Sequence, residues 1–139
     1  MRENIALVFF IPAILALGGT VSCQSATRMV VEVVGEGDRD GRLGRSLAGE
    51  AFIGLTIAVL CGVVISIFAW SMRGDTRLGL VVGLAAACTV LFAALIGSMM
   101  PPALKTLGRD PARASEPFLA VVMDIMGLAI YFLVAVALI

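Results

Sequence analysis

An acid set deep in an apolar run has the most chemistry to offer in this chain. Asp124 follows Pro117 by seven residues and lies inside the stretch Phe118 to Ile139, so a helix rising 1.5 Å per residue carries it roughly 10 Å from the start of that stretch. A carboxylate at such depth costs about 2.5 to 3.5 kcal/mol on insertion scales, and acids placed there generally face a bundle interior or a wet cavity and serve ion pathways. The plainer alternative is a protonated Asp hydrogen-bonded to a neighbouring helix. Helical spacing puts Ala120, Gly127 and Tyr131 on the face of Asp124. The small neighbours leave room for a hydrated divalent ion. Magnesium, which prefers octahedral oxygen ligands and releases its waters reluctantly, is the first candidate.

Other groups carry weaker signals. Gly18-Gly19-Thr20-Val21-Ser22-Cys23-Gln24-Ser25-Ala26-Thr27 is a polar, glycine-containing run within an otherwise apolar segment. A helix could loosen there and turn carbonyls toward a cation, or the Ser and Thr hydroxyls could bond back to their own helix. Glu116, in Ser115-Glu116-Pro117, either complements the dipole of a helix capped by Ser115 or attracts ions to a mouth below Asp124. Glu50, at the start of a span, reads as an interfacial or helix-start acid rather than a ligand. There is no His, and Cys23, Cys61 and Cys88 fall in separate apolar stretches without metal-ligand spacing, so they read as small hydrophobes. No nucleophile and base pair can be assembled from this set, and neither an enzyme nor a resident cofactor is expected.

The elements that must position these groups follow from composition. The 139 residues are 60% hydrophobic and 14% charged with a mean hydropathy of +1.07, far above a soluble domain. Four apolar spans, approximately Ile5 to Val34, Leu47 to Met72, Leu78 to Met100 and Phe118 to Ile139, are each long enough to cross ~30 Å of hydrocarbon as helices. They are too long and too unpatterned for barrel strands. The expectation is an all-α integral membrane protein, one domain over residues 1–139. Pro101-Pro102 should end the third helix sharply, and Ser115-Glu116-Pro117 should restart the fourth. Ten basic and ten acidic residues cancel, which gives no reason to expect a nucleic acid.

Orientation rests on where the basic residues fall. Arg28, Arg39, Arg42, Arg45, Lys105, Arg109 and Arg113 flank or occupy the first and third connections, against Arg2, Arg73 and Arg77 on the other side. The positive-inside rule places those connections in the cytoplasm and both termini outside a cell (inner) membrane. Small residues such as Gly54, Gly62, Gly79, Gly83 and Gly97 favour close packing of helices.

The stretch Gly97-Ser98-Met99-Met100-Pro101, then Leu107-Gly108-Arg109-Asp110-Pro111-Ala112 through Ser115-Glu116-Pro117, followed by Asp124, Gly127 and Tyr131, resembles the membrane domain of the MgtE magnesium transporter family. It is similar in order and spacing to that family's Leu-Gly-x-Asp-Pro-Ala, Ser-x-Pro and Asp-x-x-Gly series. Gln24-Ser25-Ala26-Thr27 resembles the end of the family's Gly-Asn-x-Gly-Asn-Gln-Ser signature, and Glu50 falls where the family carries an acid. The resemblance implies a homodimeric divalent-cation pore in which Asp124 is the central magnesium ligand, with Ala120, Gly127 and Glu116 lining the same path. It matches Gly19 to a backbone-exposing glycine of the signature. Thr20, Ser22 and Cys23 stand where Asn, Gly and Asn are usual, and Glu116 where Asn is common. The family's magnesium-sensing domains have no counterpart in these residues, and its membrane domain has five helices, one of which would precede Ile5.

The expected function is therefore a divalent-cation channel or transporter that moves the ion down its electrochemical gradient past Asp124. It would work in the lipid bilayer as a homodimer or with another membrane chain. Two other classes compete: a membrane assembly subunit that transports nothing, and a rotary-ATPase proteolipid with Asp124 as ion carrier. The latter expects a Gly-x-Gly-x-Gly stripe on the partner helix, which the sequence lacks.

Overall fold

The computed structural model describes residues 2–35 and 41–138, with side chains from Leu7 onward. Arg39, used above for orientation, and Ile139, the end of the fourth span, lie outside the described residues. So do the side chains of Arg2 and Ile5. The chain is all-α: α1 (Arg2–Gly35), α2 (Arg42–Arg73), α3 (Thr76–Thr106) and α4 (Pro111–Leu138). Each helix is long and apolar enough to cross a membrane. At 34, 32, 31 and 28 residues they extend to about 40–50 Å, more than the ~30 Å hydrocarbon layer requires.

Local chemistry sets the ends. Gly41 before α2 and Gly74 after it both adopt the left-handed conformation, with φ 69° and 66°, which only glycine enters without a Cβ penalty. Asp75 caps α3 by accepting from the amides of Arg77 and Leu78 at 2.9 and 3.4 Å.

The third connection departs from expectation. Pro101 and Pro102 lie inside α3, which runs on to Thr106. Two missing N–H groups do not break a helix whose neighbouring turns are held by packing, and Pro101 is itself buried. The helix stops at Gly108, whose φ of 68° reverses the chain. α4 then begins at Pro111, with Asp110 Oδ1 accepting from the Ala112 amide at 3.0 Å. Pro fits the first helical position because the amide it lacks has no intrahelical partner there. Ser115 is thus no cap: its buried hydroxyl donates to the Pro111 carbonyl at 2.6 Å.

α3 is the hub. It packs against α1, α2 and α4, whereas α1 and α2 barely meet and α2 does not touch α4 among the described residues. Its seam with α2 depends on small residues: a Cβ at Gly83 would lie 2.7 Å from the Gly62 carbonyl oxygen. A Cβ at Gly97 would collide with the backbone of Ser22 on α1. Close backbone approach of this kind drives helix association where lipid removes the hydrophobic incentive.

Two long-range hydrogen bonds fix α1 at its ends. The buried Tyr131 hydroxyl donates to the Leu7 carbonyl at 2.6 Å, and Lys105 Nζ donates to the Val33 carbonyl at 2.7 Å. The second ties together the carboxyl ends of α1 and α3, where unpaired carbonyls attract a cation.

Candidate functional site

α4 presents two unlike faces. Ser115, Leu119, Met123, Gly127, Tyr131 and Ala135 are buried, recurring every fourth residue as a helix packed along its length requires. Glu116, Ala120 and Asp124 are exposed, also four apart, on an adjoining strip. The predicted face is therefore divided. Ala120 stays with Asp124, while Gly127 and Tyr131 turn into the protomer. A Cβ on Gly127 would lie 3.1 Å from a Leu15 methyl and 3.4 Å from a Thr89 methyl. Gly127 thus lets α4 lie close to α1 and α3 rather than opening space around the acid.

Because α4 begins at Pro111, Asp124 stands close to the midpoint of the helix, roughly 20 Å from either end. Gly19 is equally central in α1. The two levels coincide, since a Cβ on the preceding Gly18 would come within 3.0 Å of the Met123 methyl. Gly19 itself borders open space, with nothing within 4 Å of where its Cβ would be.

α1 does not loosen at its polar run. Thr20 and Thr27 donate to carbonyls one turn back, Ala16 and Cys23, at 2.8 Å each, and Ser22 donates to the Gly19 carbonyl at 2.9 Å. Such bonds satisfy hydroxyls within the helix itself, so no carbonyl is freed toward an ion. The polarity still has a place. Thr20, Cys23, Gln24, Thr27 and Arg28 line an open groove of about 570 Å³ whose other wall is Ile57 of α2.

One ion pair went unforeseen. Arg28 Nε lies 3.4 Å from Glu50 Oε1, joining α1 to α2 across their thin contact. The signal was available in register: Arg28 is seven residues before the end of α1 and Glu50 eight after the start of α2, so in consecutive antiparallel helices they stand at one level. Glu50 is buried within the protomer. Among the described residues, no three His, Cys, Asp or Glu side chains come together to hold a metal. Asp124 therefore has no pair of further carboxylates or cysteines gathered around it among those residues to hold a metal.

The sequence profile of the MgtE family, described as a divalent cation transporter, matches residues 11–134. Proteins named magnesium transporter MgtE are similar along nearly the whole chain. The protein from Enterococcus faecalis is 33% identical over 97% of this chain and 30% of its own length, that from Thermus thermophilus 36% over 94% and 29%, and that from Bacillus subtilis 30% over 99% and 30%. The chain thus spans under a third of the relatives it matches. With four membrane-length helices and a profile match across nearly all of them, the chain belongs to the MgtE family of divalent cation transporters.

Proposed function

We propose that this chain forms the ion path of a magnesium transporter, with Asp124 as the central ligand and the ion moving down its electrochemical gradient. One observation carries the reading: Asp124 is exposed on the protomer surface at the midpoint of a membrane-length helix. Facing lipid, that charge costs about 2.5 to 3.5 kcal/mol. Facing a second copy across a two-fold axis, two Asp124 carboxylates match a divalent ion and share its charge. Ala120 leaves space for the ion's waters, Glu116 draws ions to the cytoplasmic end, and Gly127 sets the helix so that the acid looks outward. Gly19, level with Asp124 and unobstructed, and the groove of Thr20, Gln24 and Thr27 line the α1 side. The connections after α1 and α3 face the cytoplasm of a cell inner membrane and both termini lie outside.

Uptake into liposomes, with magnesium, manganese, cobalt and calcium compared, tests this. Wild-type chain carries magnesium, and Asp124→Ala and Asp124→Asn abolish flux while inserting normally. Wild-type rates in a folded Asp124→Asn variant would show that charge at this position does not carry the ion. Single cysteines at Gly41 and Ala112, in a background without the native cysteines, check orientation. They label only when reagent reaches the cytoplasmic side, and labelling from outside alone reverses the topology.

A further inference from the structure

Arg28 places a permanent positive charge roughly 10 Å inside the carboxyl end of α1, in the same groove as Thr20, Gln24 and Thr27. A divalent cation passing within a Debye length, about 8 Å in physiological salt, is repelled by such a charge, and less effectively screened in a partly buried groove than in open water. Arg28 is held to one side. Its Nε donates to the Gln24 carbonyl at 3.5 Å and lies 3.4 Å from Glu50 Oε1.

The pairing is unequal. The Arg28 side chain is 43% exposed and that of Glu50 only 9%. Glu50 Oε2 is fully buried with no hydrogen-bond partner. A buried carboxylate with one oxygen orphaned is poor construction for stability, since the desolvation cost of a buried ion pair can exceed what the pair returns. Among the described residues Arg28 is its paired cation. We propose that Glu50 is a positioning residue for conduction: it neutralises Arg28 and holds the guanidinium at the α2 wall of the groove. The divalent ion is then not opposed as it crosses the α1 side of the path. This rests on the transport reading above.

The test uses magnesium uptake by the chain in liposomes, comparing wild type, Glu50→Gln, and Glu50→Gln combined with Arg28→Gln. Glu50→Gln should lower flux roughly tenfold by releasing an uncompensated charge. The loss should shrink as ionic strength rises, which a packing defect would not do. The double variant removes both charges and should return flux to within about twofold of wild type, as expected for coupled neighbours. Undiminished flux in Glu50→Gln, or a double variant as impaired as the single one at every ionic strength, overturns the inference while leaving the transport reading intact. A wild-type chain that moves no divalent ion overturns both.

Discussion

α2 and α4 are both membrane-length helices on the outside of the bundle, yet they expose different surfaces. α2 shows Phe52, Leu55, Val59, Leu60, Val63, Val64, Ile67 and Phe68, a largely apolar front of the kind lipid tails wet without cost, with the exposed Thr56 bonded back to the Phe52 carbonyl. α4 exposes large apolar residues too, but beside them runs Glu116, Ala120 and Asp124. α1 likewise exposes Thr20, Gln24 and Thr27. In a bilayer, exposure on a single protomer has two meanings, and polarity separates them: one surface is finished by lipid, the other by protein and water.

The sharpest way to break that comparison is cross-linking. In a chain stripped of its native cysteines, Ala120→Cys should form a disulfide-linked dimer on mild oxidation, whereas Leu60→Cys on α2 should stay monomeric on denaturing gels. Linkage through Leu60 alone would exchange the roles of the two faces. A smaller effect is expected from Gly127→Val. The added bulk meets Leu15 and Thr89 at 3.1 and 3.4 Å, so it should tilt α4, lower the midpoint of thermal unfolding through about 1–3 kcal/mol of overpacking, and reduce flux several-fold without preventing insertion. Thermal unfolding in detergent and liposome uptake measure the two. The mildest change is Glu116→Asn on the exposed strip, which should raise the magnesium concentration needed for half-maximal uptake at low salt and lose that effect at high salt. An unchanged concentration dependence at low salt would remove Glu116 from the ion's approach.

How much of this was legible in the sequence differs by element. Four helices followed from hydropathy and length, because nothing but helices satisfies backbone groups over such runs in lipid. Their ends were harder. Pro101-Pro102 and Pro117 are breakers by propensity, yet all three sit inside helices, and the true stop and start come from Gly108 and Asp110. Asp124 stands out in the sequence because a charge in an apolar run has few meanings, and its place near the middle of α4 follows from where that helix begins. The division of its face does not show there, since Gly127 and Asp124 lie close enough on a wheel that only the positions of α1 and α3 decide which is buried. The Arg28 and Glu50 pair was hidden because a basic residue toward a helix end reads equally well as an orientation signal and an acid near a helix start as a dipole partner, and a contact between two helices leaves no mark in either segment alone.

The central place of α3 has a consequence for synthesis. Helices leave the ribosome in order, and α1 and α2 share too thin a contact to hold each other, joined chiefly by one ion pair and a few side chains near Val21 and Ala58. Until α3 emerges, α1 and α2 are therefore inserted without being closely packed on each other. Only then do Gly97 and Gly83 find the backbones they fit. Truncation after Arg73 should leave protease-sensitive helices in the membrane. Whatever quality control surveys this protein meets its most vulnerable form while α1 and α2 are inserted and α3 and Asp124 have yet to be made.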